Sequence, residues 1–432
     1  MKRVLIVGGG ASGVLVALNI LRLAQEVISI EIAEPREDLG QGLAYSTMDN
    51  SHLLNVPAGR MSAFPDQPSD FVDWTGRDSN YFAPRKDYAR YLSEKLAQYR
   101  NQSSLVDCVH RKVLVDNLSV SSTGWHAMFH DGTTSEYEQI VLAMGHGLPL
   151  ETPQLSALRE SSRFQTDPWR ETSEDFEGTL IGVGTGLTFI DLALSHLRNH
   201  SENKVIGISR NGLLPEAHLA KRAEPLAVPP AARTSASAIR SFIENASDWR
   251  AAQDGVRHEL PAIWFGWDEE EKREFFSNHL RWWNVRRHRV SWEIQSEIDS
   301  AVAEGRLMIL KDEIERVSET AVGVDVELRS GVSITASKIV NCLGYDTWRN
   351  DCLLSRLIEN GVATVGPLGL GIQSEFPNFR IKKPDAGTHS NLYVIGSLLL
   401  GERFETTAIP ELKEQALEIA KEITKEIAKA VS

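Results

Sequence analysis

Cysteine is scarce in this chain of 432 residues: there are three, Cys108, Cys342 and Cys352. None forms a C-x-x-C pair, so a dithiol disulfide reductase is disfavoured, and a disulfide framework or zinc site has no support. Cys342 lies inside an apolar run and reads as a small core residue. Long hydrophobic runs are missing as well, and none approaches the length needed to span a membrane. The run Val4-Leu5-Ile6-Val7 is too short for a secretory signal and breaks at once into glycines, so a cytoplasmic protein is expected. Positive charge is in deficit: 46 Lys and Arg face 59 Asp and Glu, a net charge of −13 that argues against a general nucleic-acid binder. What remains is an ordinary globular composition, 42% hydrophobic and 24% charged, with length for two or three domains.

The informative stretch comes first. Lys2-Arg3 leads into Val4 to Val7, read as a short strand buried on both faces, and residues 14–23 show helical apolar spacing. Between them Gly8-Gly9-Gly10-Ala11-Ser12-Gly13 places glycines at the first, third and sixth positions of G-x-G-x-x-G. Gly8 permits a sharp turn, Gly10 admits a pyrophosphate to the backbone, and Gly13 lets the helix pack on the strand. Ala11 and Ser12 complete the cofactor-binding turn. A second apolar run, residues 27–33, ends in Glu34, placed to bind ribose hydroxyls.

The pattern then repeats. Thr179-Leu180-Ile181 reads as a strand, Gly182-Val183-Gly184-Thr185-Gly186-Leu187-Thr188 as a glycine turn, and residues 189–197 as a helix carrying Asp191. In this register Leu187 takes the third-glycine place. A following strand ends in Arg210 where the first unit has Glu34. A cation there favours the 2′-phosphate of NADPH; the bland alternative is a solvated arginine at a strand end. Each unit closes on a similar apolar strand, Ile140 to His146 with a small-residue turn at Gly145, and Ile339 to Tyr345. Asn391 to Ser397 adds another strand and turn at Gly396. Residues 401–410, with Thr407, open a long helix to Val431 whose positive end suits an anionic flavin edge.

The expected fold class is α/β: two Rossmann-like (three-layer β/β/α) dinucleotide-binding domains, with a helical insertion in the second. Residues 1–175 plus 338–432 form the FAD-binding domain, residues 176–337 the NADPH-binding domain, and the insertion covers about 213–302. Gly40 to Thr47 and His52 to Ser62 read as extended loops. Phe64-Pro65 starts a helix through Phe71 and Trp74. Pro84-Arg85 starts another with Tyr88, Tyr91, Leu92 and Leu96 on one face. The basic, aromatic run Arg281 to Arg289 has two open readings: an anion site built of arginine forks, or an amphipathic helix with buried tryptophans and solvated arginines.

Together these blocks resemble a family of FAD/NAD(P)-binding proteins related to the class B flavin monooxygenases, including the amine N-hydroxylases. The most specific part is Asn55-Val56-Pro57-Ala58-Gly59-Arg60-Met61-Ser62 with the downstream Pro84-Arg85-x-x-Tyr88-x-x-Tyr91-Leu92. The resemblance implies FAD in the first domain and NADPH in the second. It makes Asn55, Arg60 and Ser62 candidates for the flavin face, and Arg287 and Arg289 candidates for anchoring substrate or phosphate. The implied activity is an NADPH-reduced monooxygenase that acts through a flavin C4a-hydroperoxide on a small nucleophilic substrate, an amine first of all, with molecular oxygen. Phe164 to Trp169 lacks the histidine that class B oxygenases carry before their second motif. That departure keeps two alternatives open: a flavin oxidoreductase that moves hydride without inserting oxygen, and a cofactor-loaded binding or sensor protein. Substrate identity and oligomeric state are not legible.

Overall fold

The computed structural model describes residues 1–169, 176–220, 223–346 and 351–429. Its first sheet grows from β1 (Lys2–Val7), which runs into helix α1 (Ala11–Leu23) and returns as β2 (Ile28–Ala33). Helix α2 (Arg85–Gln102) leads to β3 (Val106–Arg111), and later chain supplies β4 (Gln139–Leu142). The strand Thr388–Val394 joins beyond β4, giving a parallel run in the order Thr388–Val394, β4, β1, β2, β3. Two short strands, Ser374–Glu375 and Arg380–Lys382, extend its edge antiparallel. Val4, Leu5 and Ile6 are fully buried, as a strand covered on both faces requires. Three antiparallel strands, Val115–Val120, Trp125–Phe129 and Thr134–Tyr137, form a separate small sheet. Asp131-Gly132 turns the hairpin between Trp125–Phe129 and Thr134–Tyr137.

The second sheet repeats this plan. β5 (Thr179–Val183), helix α3 (Leu187–Asn199) and β6 (Lys204–Ser209) give its strand–helix–strand unit. Its parallel order is Leu307–Lys311, β6, β5, Lys338–Asn341, Phe164–Gln165. Another three-stranded antiparallel sheet, Ile314–Glu319, Val324–Leu328 and Ser333–Ala336, completes the echo. Two strands fall outside the expected boundaries. Lys338–Asn341 and Phe164–Gln165 both belong to the second sheet, not to the first domain, because Ile339 and Phe164 bury their side chains in its core. The expected boundary at 175 lies outside the described residues. The chain segments that cross between the two sheets run side by side, with Gly147 N–H donating to Asp346 O (2.6 Å) and Leu150 N–H to Gly344 O (2.8 Å).

The helical insertion is shorter than 213–302. Ala236–Asn245, α4 (Trp249–Gly266) and α5 (Leu280–Arg287) build an aromatic core of their own around Trp264, Phe275, Trp283 and Phe404. The next helix, Trp292–Ala303, buries Ile294, Ile298 and Ala301 in the core of the second sheet instead. It is the crossover leading back into Leu307–Lys311. Phe71 and Trp74 do sit on one helix, but it starts at Asp70, so residues 64–69 form turns. Helix α2 begins at Arg85 after Pro84 and buries Tyr88, Tyr91, Leu92 and Leu96 as its periodicity dictates. The last helix, α6 (Ile409–Lys429), buries the stripe Leu412, Ala416, Ile419, Ile423 and Ile427 and lies against α1; the expected end at Val431 is outside the described residues. No helix among the described residues is long and apolar enough to cross a membrane.

The glycines of the second unit divide their work differently from the expected register. Gly182 is inside β5, and a Cβ there would collide with the ring of Phe189; Gly207 of β6 leaves space for the same ring. Gly182→Ala is expected to displace Phe189 and to cost about 1–3 kcal/mol, the usual range for overpacking. Urea unfolding should show a lower midpoint at unchanged slope, and an unaltered midpoint would contradict this packing.

Candidate functional site

The first glycine turn is held closed by the strand that crosses beside it. Gly8 has φ +104°, and a Cβ there would run into the Ala143 carbonyl, so only glycine fits. Gly9 N–H donates to Glu34 Oε2 at 3.0 Å, while Glu34 Oε1 accepts from Arg36 N–H at 3.2 Å. Glu34, just past β2 and expected at the ribose hydroxyls, thus has its buried carboxylate tied to the glycine turn. Helix α1 starts at Ala11 with no side-chain cap on Gly10 and no acid in its first turn. That leaves the positive helix end and its unpaired N–H groups for an anion. A Cβ on Gly10 would stand 3.2 Å from the Gly42 Cα, so the Gly40 to Thr47 loop folds over this turn and forms a backbone-lined cradle. Backbone N–H groups of this kind at a helix start suit a pyrophosphate.

Chain from the far end completes the rim. A Cβ on Gly396 would lie 3.4 Å from Ser12 Oγ, and the Ser397 hydroxyl donates to the Gly145 carbonyl. Gln415, buried on α6, accepts from Gly396 N–H (3.0 Å) and donates to Thr406 Oγ1 (2.9 Å), which donates to Gly396 O (3.2 Å). Gly8 to Gly13, Gly145 and Gly396 therefore meet. Thr407 does not take part through such a bond: its neighbour Thr406 is fully buried while Thr407 is exposed. The sequence Thr406-Thr407 cannot decide between them until the helix start is known.

The second turn copies the first. Gly184 has φ +97°, and its Cβ would strike the Cys342 carbonyl, as Gly8 meets Ala143. Gly184 and Gly186 therefore match Gly8 and Gly10, and the third-glycine place falls on Phe189 rather than Leu187. Gly186 again begins the helix with no side-chain cap. Thr185 Oγ1 donates to Leu213 O (2.6 Å) and accepts from Arg281 Nη2 (3.0 Å). Arg210 is exposed at the end of β6, and its charge adds to burial in pulling Arg281 below the usual arginine range. One guanidinium on the glycine turn, with a second positive charge acting on it, suits a phosphate. Arg281 was inside the basic cluster but was not singled out there. At 100° per residue it lies across the helix from Trp283 and Arg287, a signal that was available.

The remaining candidates divide. Arg287 and Arg289 do not face an open pocket. Arg287 Nε bonds Glu405 Oε2 at 3.0 Å and Arg289 Nη2 bonds Asp254 Oδ1 at 2.9 Å, all within the buried base of the insertion. Helical spacing turns Arg287 to the same side as the core residue Trp283, whose Nε1 donates to Glu405 Oε1 (2.9 Å). Arg257 adds an ion pair to Glu411 (2.5 Å), so these charges fasten the insertion to the start of α6. Burial opposes the charge on Glu405, but Arg287 and Arg257 outweigh it and pull the carboxyl down to about 2. Ser62 is fully buried, donates to the Gln67 carbonyl (2.7 Å) and accepts from Phe64 N–H (3.1 Å), closing a turn. Asn55 is half-buried, and its carbonyl accepts from His218 of the second unit (3.1 Å). Arg60, also half-buried, lies close enough to Lys413 of α6 to add to the effect of burial in lowering that ammonium.

Residues 5–147 match a family model described as FAD-NAD(P)-binding. No curated protein is similar to the chain in sequence. Among solved structures, the reduced form of ornithine hydroxylase from Pseudomonas aeruginosa is similar along 99% of this chain and 100% of its own, with TM-score 0.66 and 14% identity. The ornithine N-hydroxylase of Kutzneria sp. 744, with reduced FAD, NADP+ and L-ornithine, gives TM-score 0.63 at 14% identity, covering 99% of both chains. Bacillithiol disulfide reductase from Staphylococcus aureus reaches TM-score 0.61 at 13% identity, again with 99% of each chain covered. The chain thus has the two-domain flavoprotein fold that monooxygenases and disulfide reductases share.

The ion cluster makes a pH prediction. His288 keeps an accessible edge but is crowded by Arg287, Glu405 and Arg257; burial first, then the two arginines, lower it from 6.5 to about 4. A folded value below the unfolded one means that the unfolded chain binds the proton more readily. The stability contributed by neutral His288 is complete above pH 6.5 and is lost as pH falls toward 4. Chemical denaturation between pH 7.5 and about 4 should show this decline, and His288→Asn should flatten part of it. An unchanged slope would contradict the assignment.

Proposed function

We propose that this protein is an FAD- and NADPH-dependent monooxygenase that hydroxylates a small amine. The observation that carries the reading is the paired geometry of the two glycine turns, the second flanked by Arg210 and Arg281. The full-length likeness to two ornithine hydroxylases supports it. Overall, amine, oxygen, NADPH and a proton would give hydroxylamine, NADP+ and water.

The chain's own part is binding and orientation. Ala11, Ser12 and Gly13 would offer the start of α1 to the FAD pyrophosphate, with Glu34 fixing the turn and reaching the ribose. Gly186 and α3 would do the same for NADPH, whose 2′-phosphate falls to Arg210 and Arg281. Gln415 and Thr406 would hold the Gly396 turn where the start of α6 meets the flavin edge. The flavin supplies hydride acceptance and oxygen activation when bound; the protein's contribution is to place the nicotinamide and amine against it and to exclude water. A disulfide reductase is the weaker reading despite the shared fold. Cys108 and Cys342 are buried, and burial pushes both thiols up, Cys108 to about 12. Cys352 has no partner cysteine in sequence.

Purified protein loaded with FAD should be yellow. Small diamines and basic amino acids should accelerate its NADPH oxidation in air and yield hydroxylamines. Consumption ending wholly in peroxide with every amine would favour hydride transfer without oxygen insertion. No consumption would leave a binding or sensor protein. Arg210→Ala and Arg281→Ala should each raise KM for NADPH about 10- to 100-fold, as the loss of a charge-assisted bond worth about 1.5–3 kcal/mol implies. KM for NADH should barely move, and an equal rise for both nucleotides would remove the 2′-phosphate assignment.

A further inference from the structure

The loop that resembles its family most closely also reaches into the second domain. Leu53 packs against the hydrophobic core of the second sheet. Beside it, the buried His52 joins a chain of side chains that crosses the domain boundary. Thr47 Oγ1 lies 2.6 Å from His52 Nδ1, and His52 Nε2 lies 2.8 Å from Ser195 Oγ on α3. Ser195 donates to Asp49 Oδ2 at 2.6 Å. One proton arrangement satisfies all three bonds: the Thr47 hydroxyl donates to Nδ1, Nε2–H donates to Ser195, and Ser195 donates to Asp49. Burial opposes the Asp49 charge, but bonds from Ser195 and from the Ser51 N–H and hydroxyl outweigh it and lower the carboxyl to about 2. One helical turn away, Asp191 of α3 makes an ion pair with Arg85 at 3.1 Å, with both groups almost fully enclosed. Asp191 and Ser195 stand at i and i+4, so a single face of α3 meets the first domain.

Helix α3 begins at the second glycine turn, about one turn before Asp191 and a little over two turns before Ser195. Holding its face fixes where that turn points. We propose that Asp49, His52 and Ser195, with Arg85 and Asp191, are positioning residues: a polar pin that sets the distance between the two nucleotide cradles and hence the reach of the nicotinamide to the flavin. The inference rests on the hydride-transfer reading above. The pin meets the first cradle through the side chain of Thr47, the last residue of the loop that folds over the Gly10 turn.

The arrangement does not form a hydrolytic triad, although it contains Ser, His and Asp. The Ser195 proton is directed to Asp49 rather than to the imidazole, and the far ring nitrogen meets a threonine hydroxyl. A nucleophilic serine would need its proton on the histidine side.

Ser195→Ala removes two links of the pin without adding volume. In FAD-loaded protein kept anaerobic, the rate of flavin reduction by NADPH at saturation should fall about 10- to 100-fold, the penalty for a reacting atom misplaced by about 1 Å. The dissociation constant for NADPH should change less than about threefold, because the cradle is intact. Ser195→Thr keeps the hydroxyl and should restore the rate. In cofactor-free protein, hydrogen exchange of amides 49–54 should speed up in Ser195→Ala and return to normal in Ser195→Thr. If Ser195→Ala does not fold, Asp191→Asn, which keeps the side-chain shape, is measured in the same way. An unchanged rate with unchanged exchange overturns the pin. A weakened NADPH affinity at full rate also overturns it, by making Ser195 a binding residue. Wild-type protein that takes up FAD but is never reduced by NADPH or NADH defeats the hydride-transfer reading instead, while the exchange measurement still judges the contact between the domains.

Discussion

Everything in this molecule depends on one close approach, made twice. At the end of β1 the Gly8 turn presses against the carbonyl of Ala143, and at the end of β5 the Gly184 turn presses against that of Cys342. Neither position has room for a Cβ, and both require a backbone that side-chain-bearing residues avoid. The contact forces the following helix to start directly over the end of its strand, so its unpaired N–H groups point to one place. A third strand must lie alongside to supply the carbonyl. That strand is Gln139–Leu142 in one unit and Lys338–Asn341 in the other, which is why each unit needs a late piece of chain to finish an early sheet.

This constraint explains what could be read from sequence. Gly8 to Gly13 with Glu34 is a local pattern whose parts touch, Gly9 bonding Glu34 directly, and it was legible without any structure. The repeat was legible too, but its register was not. Gly182 and Gly184 look alike on paper; only pairing along β5 and β6 shows that one makes room for Phe189 while the other makes the turn. Ile339 to Tyr345, legible as the strand that closes the second unit, does pair there as Lys338–Asn341; only the boundary drawn at 338 leaves it in the other domain. Thr406 and Thr407 differ only by where α6 starts.

The basic cluster teaches a complementary lesson. Arg281, Arg287 and Arg289 carry the same charge within nine residues, yet helix geometry sends them to different tasks. Arg281 reaches the second cradle, while Arg287 and Arg289 are spent on Glu405 and Asp254. Those acids lie 118 and 35 residues away in sequence, beyond any motif. Breaking such a buried pair leaves an uncompensated charge, so Arg287 is bound to the insertion's docking near the start of α6 and Arg289 to the packing within the insertion. Ser62, Asn55 and His52 behave similarly. The loop from His52 to Ser62 spends much of its polarity on its own turns and on the neighbouring domain.

Two cradles matter only if they face each other at the right distance. A crystal structure of the protein with FAD and NADP+ bound measures this most directly. FAD phosphates should lie at Gly10 to Gly13, the 2′-phosphate between Arg210 and Arg281, and the nicotinamide within about 3–3.5 Å of the flavin ring, a near-attack separation. A second nucleotide bound away from Thr185, or a nicotinamide turned from the flavin with the domains in this arrangement, would contradict this.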